Sequence, residues 1–173
     1  PSFNAYIYFR VGYALARTVA RTLYRVRIGY VDEAALAEVS GTTGTDFMLI
    51  GSSDSTWRGG FGGDVYYAGK DFGTVVIEDV DRGAADELRF TEVTSDKVVA
   101  TRIGQDLILT AEGETGQITV RNHFLGEDNP NNFGGGTEDT ALKAIVFADG
   151  VVWDKFRIAL AVSHPDDSDR DRP

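Results

Sequence analysis

The chain has 173 residues, no cysteine and a formal net charge of −10 at neutral pH. The lack of cysteine excludes a disulfide framework, a thiolate zinc site and a cysteine nucleophile. A chain of this length can bury one hydrophobic core, and its acidic character repels nucleic-acid phosphates, so we expect no nucleic-acid partner. The apolar runs are too short to predict a membrane-spanning helix.

Residues 1–40 are predicted to form an N-terminal strand and a helical cap. Ala5–Phe9 is typical of a short strand. Between Val11 and Ile28, apolar residues and arginines each recur every four residues on separate faces, which predicts an amphipathic helix with a basic stripe made of Arg17, Arg21 and Arg25. Asp32–Val39 predicts a second short helix, which Gly41 ends.

Two roles are open for the basic helix. Residues 1–30 contain five arginines and no acidic residue. The opposite charge of the remaining chain favours a helix that docks on the acidic β-structure and shields its first strand from edge pairing. The alternative is a helix that binds a membrane surface or a partner protein.

The most informative motif is Gly59–Tyr67, which fits the nonapeptide G-G-x-G-x-D-x-U-x, where U is a large apolar residue. Glycines allow a tight turn that leaves carbonyl oxygens uncovered, and the aspartate adds a hard anionic oxygen. Such a turn suits calcium better than zinc or copper, which favour nitrogen and sulfur ligands.

The flanking residues continue the nine-residue period. Two earlier nonapeptides begin at Gly41 and Ile50, and the large apolar position is filled in register by Met48, Trp57 and Tyr66. The acid position reads Asp46, Ser55 and Asp64, and a fourth, eroded repeat has Gly73 there. Residues 41–80 are therefore predicted to be a degenerate nonapeptide array. Because side chains alternate faces along a strand, the residues at the large apolar position should point inward, and apolar residues downstream should extend the core. The predicted core residues are Met48, Trp57, Tyr66, Phe90, Leu107, Leu109, Phe147 and Trp153.

This array resembles the repeats-in-toxin (RTX) family, whose nonapeptides wind into a parallel β-roll with calcium between stacked turns. The resemblance implies that Asp46 and Asp64, two repeats apart, stack on one edge and approach one ion. Ser55 and Gly73 would face each other on an edge without a carboxylate. The implied calcium ligands are the two aspartates together with backbone carbonyls of the turns: Asp46, Asp64, Gly41, Thr43, Gly59, Phe61 and Gly62.

Residues 81–160 carry a second resemblance. Leu88–Leu109 and Ile145–Asp154 are similar to the haemolysin-type calcium-binding-related domain, which follows RTX repeats in secreted proteins. Short Val-, Ile- and Thr-rich runs at Lys97–Arg102, Asp106–Ala111 and Gln117–Asn122 predict an antiparallel meander that continues and closes the roll.

Signals for catalysis are sparse. The turn-rich loop Gly126–Thr137 and the nearby His123 allow the alternative of a small enzyme, but no familiar catalytic motif is present, so we expect no enzyme. Residues 161–173 are predicted to be a disordered acidic tail.

The overall prediction is a mainly β protein: a short RTX-type parallel β-roll, continued by a β meander, with an N-terminal amphipathic helix. The resemblances imply a calcium-binding accessory module of a bacterial type I-secreted protein, located outside the cell or at the bacterial surface. Its partners would be calcium ions and neighbouring domains of a larger protein. In this interpretation the module folds when external calcium neutralises Asp46 and Asp64.

Overall fold

A computed structural model describes residues 38–79, 85–125 and 142–163. Its elements are eleven strands, a 3₁₀ turn at Ser95–Lys97 and one helix. The strands are β1 Glu38–Ser40, β2 Phe47–Ile50, β3 Ser55–Arg58, β4 Val65–Ala68, β5 Thr74–Ile77, β6 Glu87–Phe90, β7 Val98–Ile103, β8 Asp106–Ala111, β9 Gln117–Val120, β10 Ala144–Val146 and β11 Val152–Asp154, and the helix is α1 Lys155–Ser163.

The first six strands alternate between two sheets. β1, β3 and β5 are parallel neighbours in one sheet, and β2, β4 and β6 are parallel neighbours in the other. Each nonapeptide therefore supplies one short strand, and the turn between strands crosses from one sheet to the other. The predicted mainly β class is confirmed, with two mixed sheets and a helix after the last strand.

In the first part of this array, residues that pair across stacked strands are eighteen positions apart in the sequence, and further along this interval is longer. Met48 pairs with Tyr66, as the nine-residue period predicts. Ser55, however, pairs with Val75 instead of Gly73, so the predicted facing of Ser55 and Gly73 is wrong. The longer interval places the Asp54 carboxylate on that edge, where its Oδ1 accepts the Thr74 N–H at 2.8 Å.

The predicted meander is confirmed and is joined to the parallel array. β7, β8 and β9 are antiparallel, and β9 lies parallel to β5. In the other sheet β10 is parallel to β6 and antiparallel to β11. Each sheet thus continues from the nonapeptide strands into the downstream region without a break, and the two regions share one core.

The predicted core residues are buried. Alternation along each short strand turns every second side chain inward, and these inward positions are apolar. Aromatic rings connect the last nonapeptide strand to the downstream sheet: Phe90 stacks on Phe147 at 5.6 Å between centroids, and Phe147 contacts Trp153 edge-on at 4.7 Å. All eight predicted core side chains are at most 7% exposed: Met48, Trp57, Tyr66, Phe90, Leu107, Leu109, Phe147 and Trp153.

Three boundaries differ from the sequence prediction. Val39 lies in strand β1, paired with Trp57, where a helix over Asp32–Val39 was expected, because burial against β3 outweighs local helix propensity. Lys155–Ser163 is helical, so the expected β region does not reach residue 160 and the tail does not begin at residue 161. The predicted strand at 5–9, the basic helix, the loop at 126–137 and residues 164–173 lie outside the described residues.

None of the helices within 38–79, 85–125 and 142–163 is long and apolar enough to cross a membrane.

Candidate metal centre

The two predicted calcium turns lie on the same edge, directly on top of one another. The N–H of Asp46 donates to Asp64 Oδ1 at 2.8 Å, and the N–H of Val65 donates to the Asp46 carbonyl at 2.9 Å. Gly60 and Gly62 have positive φ angles of 98° and 128°, which favour glycine. A side chain on Gly62 would meet the backbone of Gly44, so close stacking also requires glycine there.

A third aspartate, Asp86, continues the stack formed by Asp46 and Asp64, and the sequence prediction missed it. The N–H of Asp64 donates to Asp86 Oδ1 at 2.8 Å, and the N–H of Glu87 donates to the Asp64 carbonyl at 2.8 Å. Asp86 therefore precedes β6 as Asp64 precedes β4. The twenty-two-residue interval hid it from a search in steps of nine, although Asp86-Glu87-Leu88 repeats the acid–x–apolar half of the motif.

A fourth acid, Asp79, approaches from the other sheet. It follows β5, and the pairing of Trp57 with Ile77 places it level with Gly59. Its Oδ1 accepts the Gly60 N–H at 3.1 Å, and its Oδ2 accepts the Tyr66 hydroxyl hydrogen at 2.5 Å. At the sequence level the adjacent Glu78 and Asp79 gave no specific signal, because the chain is rich in acidic residues.

Asp64, Asp79 and Asp86 form the candidate metal centre, hereafter the aspartate triad. One carboxylate oxygen from each lies within 4.8 Å of the others, and all three residues are at most 4% exposed. Carboxylates held this closely away from water repel one another, and a divalent cation offsets that cost. Hard carboxylate oxygens are the ligands that calcium prefers.

The space beside Gly59 fits the same conclusion. A Cβ atom on Gly59 would lie 2.1 Å from Asp64 Oδ2, 2.4 Å from Asp79 Oδ2 and 2.7 Å from Tyr66 Oη. Three oxygens, two from the start of β4 and one from the segment after β5, thus converge where the absent side chain would be. The donor set suits a hard cation, and Asp64, Asp79 and Asp86 would hold it and neutralise its charge.

Burial and the nearby Asp79 carboxylate raise the pKa of the Tyr66 hydroxyl above its ordinary range. At neutral pH the hydroxyl is therefore a neutral hydrogen-bond donor.

Asp46, the other predicted aspartate ligand, lies apart from the triad. Its Oδ2 accepts the N–H and the hydroxyl of Thr42 at 2.5 and 2.9 Å. Its Oδ1 is buried and, within the part of the chain that the structure describes, has no hydrogen-bond partner. That Asp46 and Asp64 share an ion remains a prediction, since the structure joins them through a backbone N–H.

The remaining predicted ligands are turn residues whose carbonyls were expected to face the ion. Gly41 and Gly59 lie in contact across the stack, because a Cβ on Gly41 would meet the Gly59 carbonyl oxygen at 2.2 Å. Thr43 is exposed, and Phe61 is 58% exposed, while its N–H donates to the Thr42 carbonyl at 3.1 Å. Their ligand roles, like that of Gly62, stay predictions.

His123, which the enzyme alternative invoked, is buried. Its Nδ1 accepts the Leu142 N–H at 3.3 Å, and its ring packs edge-on against Phe124. These contacts give it a place in the core beside the turn that follows β9.

Comparison with known proteins identifies the downstream region. Residues 106–155 match the model of the haemolysin-type calcium binding protein related domain. This segment is therefore similar to that family. The predicted resemblance is thereby confirmed over residues 106–155, which include the whole of Ile145–Asp154 and the last four residues of Leu88–Leu109. The triad lies upstream of it, joined to it by the pairings β5–β9 and β6–β10.

A curated relative is the iron-regulated protein FrpA of Neisseria meningitidis serogroup C. It is 40% identical to this chain over 62 residues, which is 34% of this chain and 6% of that protein. The chain therefore matches a small part of a much longer relative.

Proposed function

We propose that this chain is a calcium-binding folding module of a larger secreted protein, and that the aspartate triad is its principal ion site. The observation that carries the proposal is the convergence of three buried carboxylates from the ends of three strands. The haemolysin-type family assignment of residues 106–155 supports calcium as the ion.

The ion would join both sheets. Asp64 and Asp86 directly precede adjacent strands of one sheet, and Asp79 follows a strand of the other. An ion bound by all three would hold the turns of an RTX-type β-roll together at its downstream end. Because β6 pairs with β10, the same ion would stabilise the docking of the haemolysin-type region.

The proposed mechanism is ion-coupled folding. Without calcium, repulsion among the buried carboxylates disfavours the stacked turns, and short glycine-rich strands contribute little burial against their chain entropy. At the calcium concentration outside a bacterial cell, ion binding would favour the folded state. This behaviour suits type I export of an unfolded chain and folding at the bacterial surface or beyond it. We assign the module no catalytic role.

Isothermal titration with calcium tests the proposal directly. The parent chain is compared with Asp79→Asn, which keeps the shape and loses the charge. The matched control is Asp54→Asn, an exposed aspartate on the opposite edge whose Oδ1 also accepts a backbone N–H. We expect binding by the parent and the control, with binding weakened at least tenfold in Asp79→Asn. Equal binding by all three chains would refute the triad assignment.

A further inference from the structure

Tyr66 is unlike its neighbours in the stack. It occupies the large apolar position between Met48 on β2 and Leu88 on β6, which pair with it directly. All three side chains are at most 1% exposed. Since Met48 and Leu88 fill the same position without a hydroxyl, packing at this level does not require one. The presence of a hydroxyl on Tyr66 is therefore not explained by packing.

That hydroxyl contacts the aspartate triad. It donates to Asp79 Oδ2 at 2.5 Å, while the Gly60 N–H donates to Asp79 Oδ1 at 3.1 Å. Each carboxylate oxygen has two lone-pair directions, so an oxygen that accepts a hydrogen bond can also face a cation. Two donors on separate elements thus fix the orientation of the one triad member that comes from the other sheet.

The position of the hydroxyl relative to the other oxygens is equally specific. Tyr66 Oη lies 2.7 Å from the point where a Gly59 Cβ would stand, beside Asp64 Oδ2 and Asp79 Oδ2. The neutral O–H adds no charge that would repel a cation. It orients a ligand carboxylate before the ion arrives, so less order has to be gained on binding.

We propose that Tyr66 is a positioning residue for calcium at the triad, a role that rests on the proposed function of that site. Its hydroxyl holds Asp79 in the orientation that the ion requires. Partners that orient a metal ligand typically change metal affinity by about 10- to 100-fold. Loss of the hydroxyl alone should therefore weaken calcium binding by at least about tenfold.

The test compares Tyr66→Phe with Tyr67→Phe in the full chain. Tyr67 is the adjacent residue on the outer face of β4, half-buried, with its ring 6.5 Å from that of Phe47. Calcium affinity is measured by calorimetry, the melting temperature is measured in chelator, and the calcium-induced change in tyrosine absorption is recorded. We expect Tyr66→Phe to bind at least about tenfold more weakly and to lose most of the absorption change. Tyr67→Phe should keep both and should melt in chelator close to the parent. Tyr66→Phe should melt somewhat lower in chelator, because a buried oxygen of Asp79 loses a donor.

An unchanged calcium affinity in Tyr66→Phe would overturn the inference and leave the proposed function standing. If the melting temperature in chelator were also lower, the hydroxyl would support the fold only. A parent chain that does not bind calcium would refute the proposed function, and the inference with it.

Discussion

The turns at residues 41–46 and 59–64 follow the same pattern but have different surroundings. In the first, the space beside Gly41 is bounded by the Gly59 carbonyl oxygen, the Met48 methyl group and Asp46 Oδ2. In the second, the space beside Gly59 is bounded by Asp64 Oδ2, Asp79 Oδ2 and Tyr66 Oη. The turn motif is repeated, whereas the cluster of carboxylates is present at only one of the two turns.

The difference shows what a repeat contributes and what it does not. The nonapeptide supplies the glycines, one acid and one inward apolar residue, and these build turns that stack on one another. The second and third carboxylates come from Asp79 and Asp86, where the step between stacked strands has lengthened. We therefore expect the two turns to differ in calcium affinity although they share a motif.

The largest expected effect is at Gly59. A Gly59→Ala side chain would overlap two carboxylate oxygens of the triad at 2.1 and 2.4 Å. We expect loss of calcium binding and a destabilisation of about 1–3 kcal/mol from overpacking. Gly51→Ala is the control, because a Cβ there meets nothing within 4 Å. Calorimetry and chemical unfolding measure the two effects, and normal calcium binding by Gly59→Ala would argue against an ion beside Gly59.

The next largest effect is expected at Asp64, in the nonapeptide Gly59–Tyr67. Asp64→Asn should weaken calcium binding at least tenfold, which removes about 1.4 kcal/mol of calcium-dependent stability at saturation. The control is Asp71→Asn, since Asp71 is exposed, has a φ of 56°, and asparagine tolerates that conformation. Melting temperatures with and without calcium compare the two. Equal calcium-dependent shifts in melting temperature would show that Asp64 does not bind the ion.

A smaller difference, in calcium affinity between two variants, distinguishes the triad from the Asp46–Asp64 pair predicted from the repeats. Asp86→Asn should lower calcium affinity by tenfold or more, like Asp64→Asn. Asp46→Asn should lower it less, because the Asp46 carboxylate is bound by Thr42 and lies apart from the triad. Calorimetric dissociation constants for the two variants provide the comparison. A stronger effect at Asp46 than at Asp86 would restore the ion position predicted from the repeats alone.

The smallest effect is at an aspartate with no expected link to calcium. Burial alone would raise the pKa of Asp149, but the N–H and hydroxyl of Ser95 and the N–H of Val151 outweigh it and lower the pKa. A lowered pKa in the folded state stabilises the fold above the unfolded pKa of about 3.9, and the contribution is lost as the pH falls through the folded pKa.

Asp149→Ala should therefore cost roughly 1 kcal/mol at neutral pH, with or without calcium. The difference from the parent should shrink when unfolding is measured below about pH 4. A calcium-dependent cost would mean that the ion also acts on the loop between β10 and β11.

The sequence predicted the parts of this structure that depend on strict periodicity. The nine-residue step placed Met48, Trp57 and Tyr66 in the core and stacked Asp46 on Asp64. It failed where the spacing changed, at Gly73, Asp79 and Asp86. The positions of these residues depend on turn lengths and on pairing between distant strands, which local pattern does not determine.

Other failures have the same origin. Val39 has neighbours typical of a helix, yet it joins a sheet because β3 offers a parallel partner. The helix at Lys155–Ser163 was missed because apolar residues such as Ile158, which is fully buried, read equally well as strand. Asp79 lies in no motif and Asp86 in only half of one, so three-dimensional structure was needed to bring them together with Asp64.

The central claim is that calcium at the aspartate triad stabilises the stacked turns. Thermal unfolding of the full chain, followed by circular dichroism in chelator and in millimolar calcium, tests it most directly, with Asp79→Asn measured alongside. Calcium at about one hundred times its dissociation constant adds about 2.7 kcal/mol, or roughly 5–10 °C for a chain of this size. We predict that rise for the parent and a much smaller one for Asp79→Asn. The same melting temperature with and without calcium in the parent would contradict the account.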